Sequence, residues 1–406
     1  MPPAGSGFVS IQAPEHQPDN ITLGTYGGLY TALTEGPTTA TPYGTYDYCS
    51  MPHPRTAEYQ LPAPLRASSD TGITGKLVFL EYLQRHQCRI PYKILPGGET
   101  YQDETDPFSA NVNGTCQFPQ ITLGGIQDGY QHGQDLWAVY GEKLGLIPAS
   151  PRAGRIWLRA TDSPLTQGSA GAVLRGMWPG YKGAPPLHLM EGGVDTVNAG
   201  YSCNAISSIQ SQYKSTSAWA THLELTTELR ASLGSMLGAT AASWQNTFDH
   251  FADNLQGRLC NGYELPCSTT NSSACVTEAQ ADMVFRAGDW EWNYYYRTQP
   301  YVDKYIQAVE GLFIGEVVAH LQAVLDGSSA LDYAHHFLHD NDIGPVLGAL
   351  GINAMRWPAM AANVALEVCG QPIETIHGIL DWIPLQQLIS ILRPYVLTDI
   401  ASLCSS

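Results

Sequence analysis

The chain has 406 residues, enough for a large α/β unit with an insertion or for two subdomains, and too many for one minimal core. Its composition, 44% hydrophobic and 14% charged with 22 Tyr and 9 Trp, is that of a globular protein and not of a disordered one. A formal net charge of −17 argues against nucleic acid and anionic membrane surfaces as partners, but leaves room for a small anion held by a local knot of cations.

Residues 1–75 are rich in Pro, Gly, Thr and Tyr without a sustained period, and are read as an irregular N-terminal arm. The opening MPPAGSGFVSIQAPEHQ has no apolar core, so no signal peptide is visible in it. Next comes KLVFLEYLQ (Lys76 to Gln84), a short apolar run that suits a buried strand. It empties into RHQCRIP, which brings Arg85, His86, Arg89 and Lys93 within nine residues. If that turn runs into a helix, Arg85 and Arg89 share a face and the helix N-terminus adds N–H donors. Two guanidinium forks there suit a tetrahedral oxyanion, and His86 between them suits a nucleophile. An ordinary solvated helix face accounts for the same charge run equally well.

Downstream, the segment from Gly125 to Leu146 carries apolar residues at helical spacing. RIWLRATD (Arg155 to Asp162) reads as a second strand, TQGSAGAVLRGMW as a helix and PPLHLMEG (Pro185 to Gly192) as another strand. The pattern then turns helical, interrupted by a loop with Cys260, Cys267 and Cys275, before DYAHHFLHDNDIGPVLGALG returns to strand and turn. His339 and Asp340 close an apolar stretch there, where a carboxyl could serve as general acid, although HDND is also an ordinary turn signal. Arg159 alone suits a salt bridge better than a ligand role. His335 and His336 are expected on opposite faces of a strand; no metal-ligand spacing, GxGxxG or GxxxxGK occurs, so no metal or cofactor is expected. The expected fold class is α/β, a central, mostly parallel sheet flanked by helices, built from 76–205 and 328–406, with an α-helical cap over 206–327.

Nine scattered cysteines, six lysines and sequons at Asn20, Asn113 and Asn271 point towards an oxidising, secreted context with glycosylation. No uninterrupted apolar run of about 18 residues suggests a membrane span.

Taken in order, RHQCRIP, RATD and HD resemble the histidine acid phosphatases, the second branch of the histidine phosphatase superfamily, whose pattern is RHGxRxP, an R-S-T-D-like segment and a late HD pair. ITLGGIQDGYQHGQDL, GLFIGEVVAHL and WPAMAANVALEV are similar to further pieces of that family, so the resemblance runs from about Lys76 to the C-terminus. It implies a phosphoglycerate-mutase-like sheet and hydrolysis of small phosphomonoesters at acid pH. His86 would form a phosphohistidine, Arg85, Arg89, Arg159 and His339 would hold the phosphate, and Asp340 would protonate the leaving oxygen, with Gln87 and Lys93 near the pocket.

Four features depart from the family pattern. Gln87 replaces a glycine, Leu165 stands before Thr166 where the family often has arginine, and Asp342 stands where Thr or Asn is usual. ALEVCGQPIETI also lacks a strand expected before the C-terminal helix. These departures motivate a second reading, a degenerate anion-binding member. With 20 cations in the chain, a dedicated phytase ranks below a general acid phosphatase. Cys88 is expected in a disulfide, with Cys116 the suggested partner, or as a buried thiol.

Overall fold

The apolar run at Leu77–Arg85 forms strand β1, which lies next to the edge of a five-stranded sheet ordered β3-β2-β4-β1-β5. This is a computed structural model; it describes residues 53–56, 59, 76–92, 95–96, 119–151, 154–197, 201–261, 263–268, 270–298, 300–352, 355–369 and 383–404. The other strands are β2 (Ile156–Ala160), β3 (Leu187–Leu189), β4 (Tyr333–Leu338) and β5 (Asn363–Cys369). β3, β2, β4 and β1 run parallel, and β5 returns antiparallel along β1. The sheet is therefore mostly parallel, as expected.

Strands covered on both faces need apolar residues throughout, which is why β1 reads as a run and not as an alternation. On one face Leu80, Tyr82, Leu158, Tyr333 and Phe337 pack under helices α1 (Leu123–Leu136) and α2 (Pro164–Met177). On the other, Phe79, Leu83, Ala334 and Leu338 join a larger core with α7 (Asp249–Leu259), α8 (Glu278–Arg297) and α9 (Val302–Leu325). Each such buried Leu or Phe contributes about 2 kcal/mol of transfer free energy.

The helix expected from Gly125 begins at Leu123, with the Thr122 side chain accepting from the Gly125 N–H at 3.0 Å, and widens into a π-helical turn at Trp137–Lys143. Gly125, Gly129 and Gly133 recur every four residues on its buried face. A Cβ on Gly133 would overlap the Val173 carbonyl of α2, and one on Gly125 the Cys88 carbonyl, so only glycines let α1 touch both α2 and the loop after β1.

Between β3 and β4 the chain is helical, from α3 (Asn204–Lys214) through α4 (Ser217–Leu225), α5 (Thr227–Leu237) and α6 (Ala242–Gln245) to α7–α9. A capping box of Thr277 and Gln280 starts α8. α9 is long and apolar enough on composition to cross a membrane, which the sequence reading had not found; here Phe313, Ile314, Val317 and Leu321 are buried in the core instead. Two further helices follow, α10 (Asp340–Ala349) after β4 and α11 (Leu385–Leu392) near the C-terminus, before α12 (Ile400–Cys404).

Among the described residues, disulfides join Cys203 to Cys404 and Cys267 to Cys275. Cys88 is a buried thiol. Cys116, Asn20, Asn113, Lys93, most of the arm and the segment after Cys369 lie outside the described residues; Asn271 lies within them, exposed.

Candidate active site

β1 and β4 are in register from Leu80 to Arg85 and from Tyr333 to Leu338, so they end side by side at their carboxyl ends. In an open α/β sheet that edge is where the chain releases polar side chains into a crevice. His86 leaves β1 with its N–H on the Leu338 carbonyl (2.9 Å), and its own carbonyl accepts from Ala361 (3.0 Å). Ala361 holds φ 58°, a left-handed conformation that costs a non-glycine residue about 1 kcal/mol or more.

The loop does not turn into a helix, as the i, i+4 reading of Arg85 and Arg89 supposed. Its backbone is used otherwise: Ile90 N–H donates to Gln120, Thr122 N–H to Cys88, and Arg89 bridges Ile121. The helix N-terminus at this edge belongs instead to α10. HDND is thus a helix start, not a turn. His339 stands at its N-cap, its N–H donating to the Asp342 carboxylate at 2.7 Å. That contact gives Asp342 a capping role.

The two arginines still converge on His86. The Arg89 Nε–H points to His86 Nε2 at 3.4 Å, and His86 Nδ1 lies 3.0 Å from the Gln87 carbonyl. A carbonyl can only accept, so Nδ1 carries the proton and Nε2 keeps its lone pair. Burial and the charges of Arg85, Arg89 and His339 drive the His86 pKa well below its ordinary value, which favours the neutral imidazole.

The Arg85 Nη2 pairs with Asp340 Oδ2 at 2.8 Å and Nη1 donates to the Pro358 carbonyl. Its Nε–H is buried without a hydrogen-bond partner, a deficit of about 1–3 kcal/mol. Trp357 Nε1 donates to the same Asp340 Oδ2 at 2.7 Å. Burial alone would raise the Asp340 pKa, but Arg85, the Trp357 N–H, Arg89 and His339 outweigh it and hold the carboxyl below the usual range. The His339 ring sits 5.3 Å from that of His86, with Nε2 3.1 Å from the Thr161 hydroxyl; burial is the main cause that lowers its pKa to about 4.

Gln87 is not in the way. Its N–H donates to Ser169 at 2.8 Å, and its side chain turns from the loop to lie against Gly129 of α1, where a Cβ would come within 3.2 Å of Gln87 Cγ. Arg159 is the sequence-predicted ligand that the structure does not bring to His86. Strand alternation puts it on the α9 face, where its guanidinium is bound by Asp195 and Glu316, with Thr196 at 2.7 Å and Phe313 beneath. The position before Thr166 is Leu165, which is buried.

Next to Arg159 on that face lies a further polar cluster. Glu81 is fully buried and accepts from His336 at 2.6 Å and His320 at 3.0 Å, joining β1 and β4 to α9. His335, on the opposite face as expected, bonds Gln84 and Tyr333.

The family model of the histidine phosphatase superfamily (branch 2) matches residues 57–371. The chain belongs to this family. A curated relative, "Counting factor 60" of Dictyostelium discoideum, is 25% identical over 349 residues, 76% of this chain and 80% of that protein. Among solved structures, the Klebsiella sp. ASR1 phytase superposes with a TM-score of 0.53 at 15% identity, covering 80% of this chain and 98% of the phytase. The Citrobacter braakii phytase gives 0.54 at 11%, covering 80% and 99%. These likenesses establish a histidine-phosphatase fold, and the family establishes phosphatase chemistry in general. In this member of the family Arg159 pairs with Asp195 and Glu316 on the α9 face.

Sequence reasoning missed Trp357 and Asp253. Trp357 lies in the WPAMAA stretch just before β5, and Asp253 sits inside a helix with no motif of its own; each reaches the site only through tertiary packing.

Proposed function

We propose that this protein is a secreted phosphomonoesterase that works at acid pH through a phosphohistidine on His86. The observation that carries the reading is the tautomer of His86, with Nδ1–H on the Gln87 carbonyl and the Nε2 lone pair towards Arg89. Nε2 attacks phosphorus, the ester P–O bond breaks, and Asp340 passes its proton to the departing alkoxide. A water then attacks phosphorus, Asp340 takes up its proton, and inorganic phosphate leaves with the His86 lone pair restored. Arg85 and Arg89 hold the equatorial oxygens, and His339 closes one side. The two disulfides support an oxidising compartment. The substrate class is a small phosphomonoester, because both arginines are already matched by carboxylates, Asp340 and Asp253, and the site carries little spare positive charge for a polyanion.

The second reading, an anion-binding member with weak turnover, is favoured by Leu165 and by Arg159 being committed to Asp195 and Glu316. Turnover of p-nitrophenyl phosphate between pH 3 and 7 separates the two. The first reading expects activity that falls by about 10³-fold or more in His86→Ala and by about 10²-fold or more in Asp340→Ala. Activity that survives His86→Ala rules out the covalent route, and an inactive wild type leaves the binding reading.

A further inference from the structure

Helix α7 reaches across from the helical layer to the loop that carries the phosphate arginines. One of its faces, spaced by four residues, meets that loop three times. Asp253 Oδ1 lies 2.8 Å from Arg89 Nη2, an ion-pair contact outside hydrogen-bond geometry, while Oδ2 accepts the Tyr92 N–H at 2.9 Å. Gly257 packs on Pro91, where a Cβ would approach Cγ to 2.9 Å. Asn261, just beyond the helix, donates its amide to the Arg89 carbonyl at 3.2 Å. Asp253 is 2% exposed and Arg89 5%. A carboxylate so buried is costly unless matched, and this one is matched by a guanidinium whose remaining nitrogens point to the Ile90 carbonyl and to His86. All three Arg89 nitrogens are thereby directed before any anion arrives.

We propose that Asp253 is a positioning residue for phosphate binding, acting through Arg89. This deepens the phosphomonoesterase reading and rests on it. Fixing the fork in advance removes most of its rotamer entropy from the cost of binding. Burial raises the Asp253 pKa while Arg89 and the Tyr92 N–H oppose the rise, as expected for a carboxylate kept inside only by its partners.

The test uses the full chain and two readouts. Calorimetric titration with inorganic phosphate needs no turnover, and p-nitrophenyl phosphate kinetics separates KM from kcat. Asp253→Asn keeps the shape and removes the charge. It should weaken phosphate binding and raise KM about tenfold, with a smaller change in kcat. Arg89→Gln should bind as weakly as the double variant Asp253→Asn/Arg89→Gln, since the aspartate acts through the arginine. Asp253→Glu moves the charge by one methylene and should shift KM the same way; it serves if Asp253→Asn does not fold. Phosphate binding unchanged in a folded Asp253 variant overturns the proposal and leaves the phosphatase reading standing, as do additive losses in the double variant. A wild type that binds no phosphate overturns both.

Discussion

Single residues decide what the family motif means in this chain. His86 and Asp340 were legible because each sits in a short contiguous signature at a strand end. For Arg159 the residue alone suggested a salt bridge and only the resemblance suggested a ligand; residue 159 shares its face with Trp157, that face looks towards α9, and the salt bridge is what forms. Trp357 could not be read at all, since nothing in a linear sequence says that an indole N–H will meet a carboxylate that opens the preceding helix. Its removal gives a measurable effect. Trp357→Phe deletes a donor to ionised Asp340, so the carboxyl becomes easier to protonate. The alkaline limb of kcat/KM should move to higher pH. The ratio of activity at pH 6 to that at pH 4 should rise up to about tenfold, the worth of one hydrogen bond to a charged group. A profile that keeps its shape would show that the indole does not hold the proton donor.

At the level of elements, the strands were the easiest to foresee. β1 and β4 are buried almost throughout because both their faces are covered, and their polar residues Glu81, Gln84, His335 and His336 are paired inside. The loop after β1 was harder: its charges suggested a helix, but its backbone groups pair with Gln120–Thr122 and leave no start for one. Glu81, His320 and His336 form a link between elements that periodicity could not reveal. Burial would raise the Glu81 pKa, yet the two histidines lower it; burial would lower that of His320, yet Glu81 raises it. Glu81 therefore contributes stability that is lost as pH falls through its depressed folded value. The His320 contribution is full below its unfolded value and is lost as pH rises through its raised one. Glu81→Gln should destabilise the fold by about 3 kcal/mol, with the gap from wild type widest between roughly pH 4.5 and 6.5. Thermal unfolding across pH 4–8 reads this, and parallel curves for the two proteins would remove the pair from the stability account.

For the whole molecule, the α/β pattern with a long helical stretch between β3 and β4 was visible in the change of hydrophobic period. What the period could not show is that helices α7–α9 and one sheet face share a single core. Nor could spacing pair Cys203 with Cys404, which stand 201 residues apart and tie the start of α3 to the end of α12.

The Arg85–Asp340 ion pair has a consequence for the molecule's proton balance. On the proposed mechanism, phosphate and Asp340 would compete for one guanidinium. An anion taking Arg85 would remove the chief charge that keeps the carboxylate ionised and add a negative neighbour, so Asp340 would draw a proton from solvent. Arrival of the ligand would thereby load the acid that the proposed hydrolysis needs. Phosphate titrations near pH 5, run in buffers of different ionisation enthalpy, should show heats that vary with buffer and correspond to uptake of up to about one proton. Asp340→Asn should abolish that dependence, and heats independent of buffer in the wild type would mean that the pair stays closed.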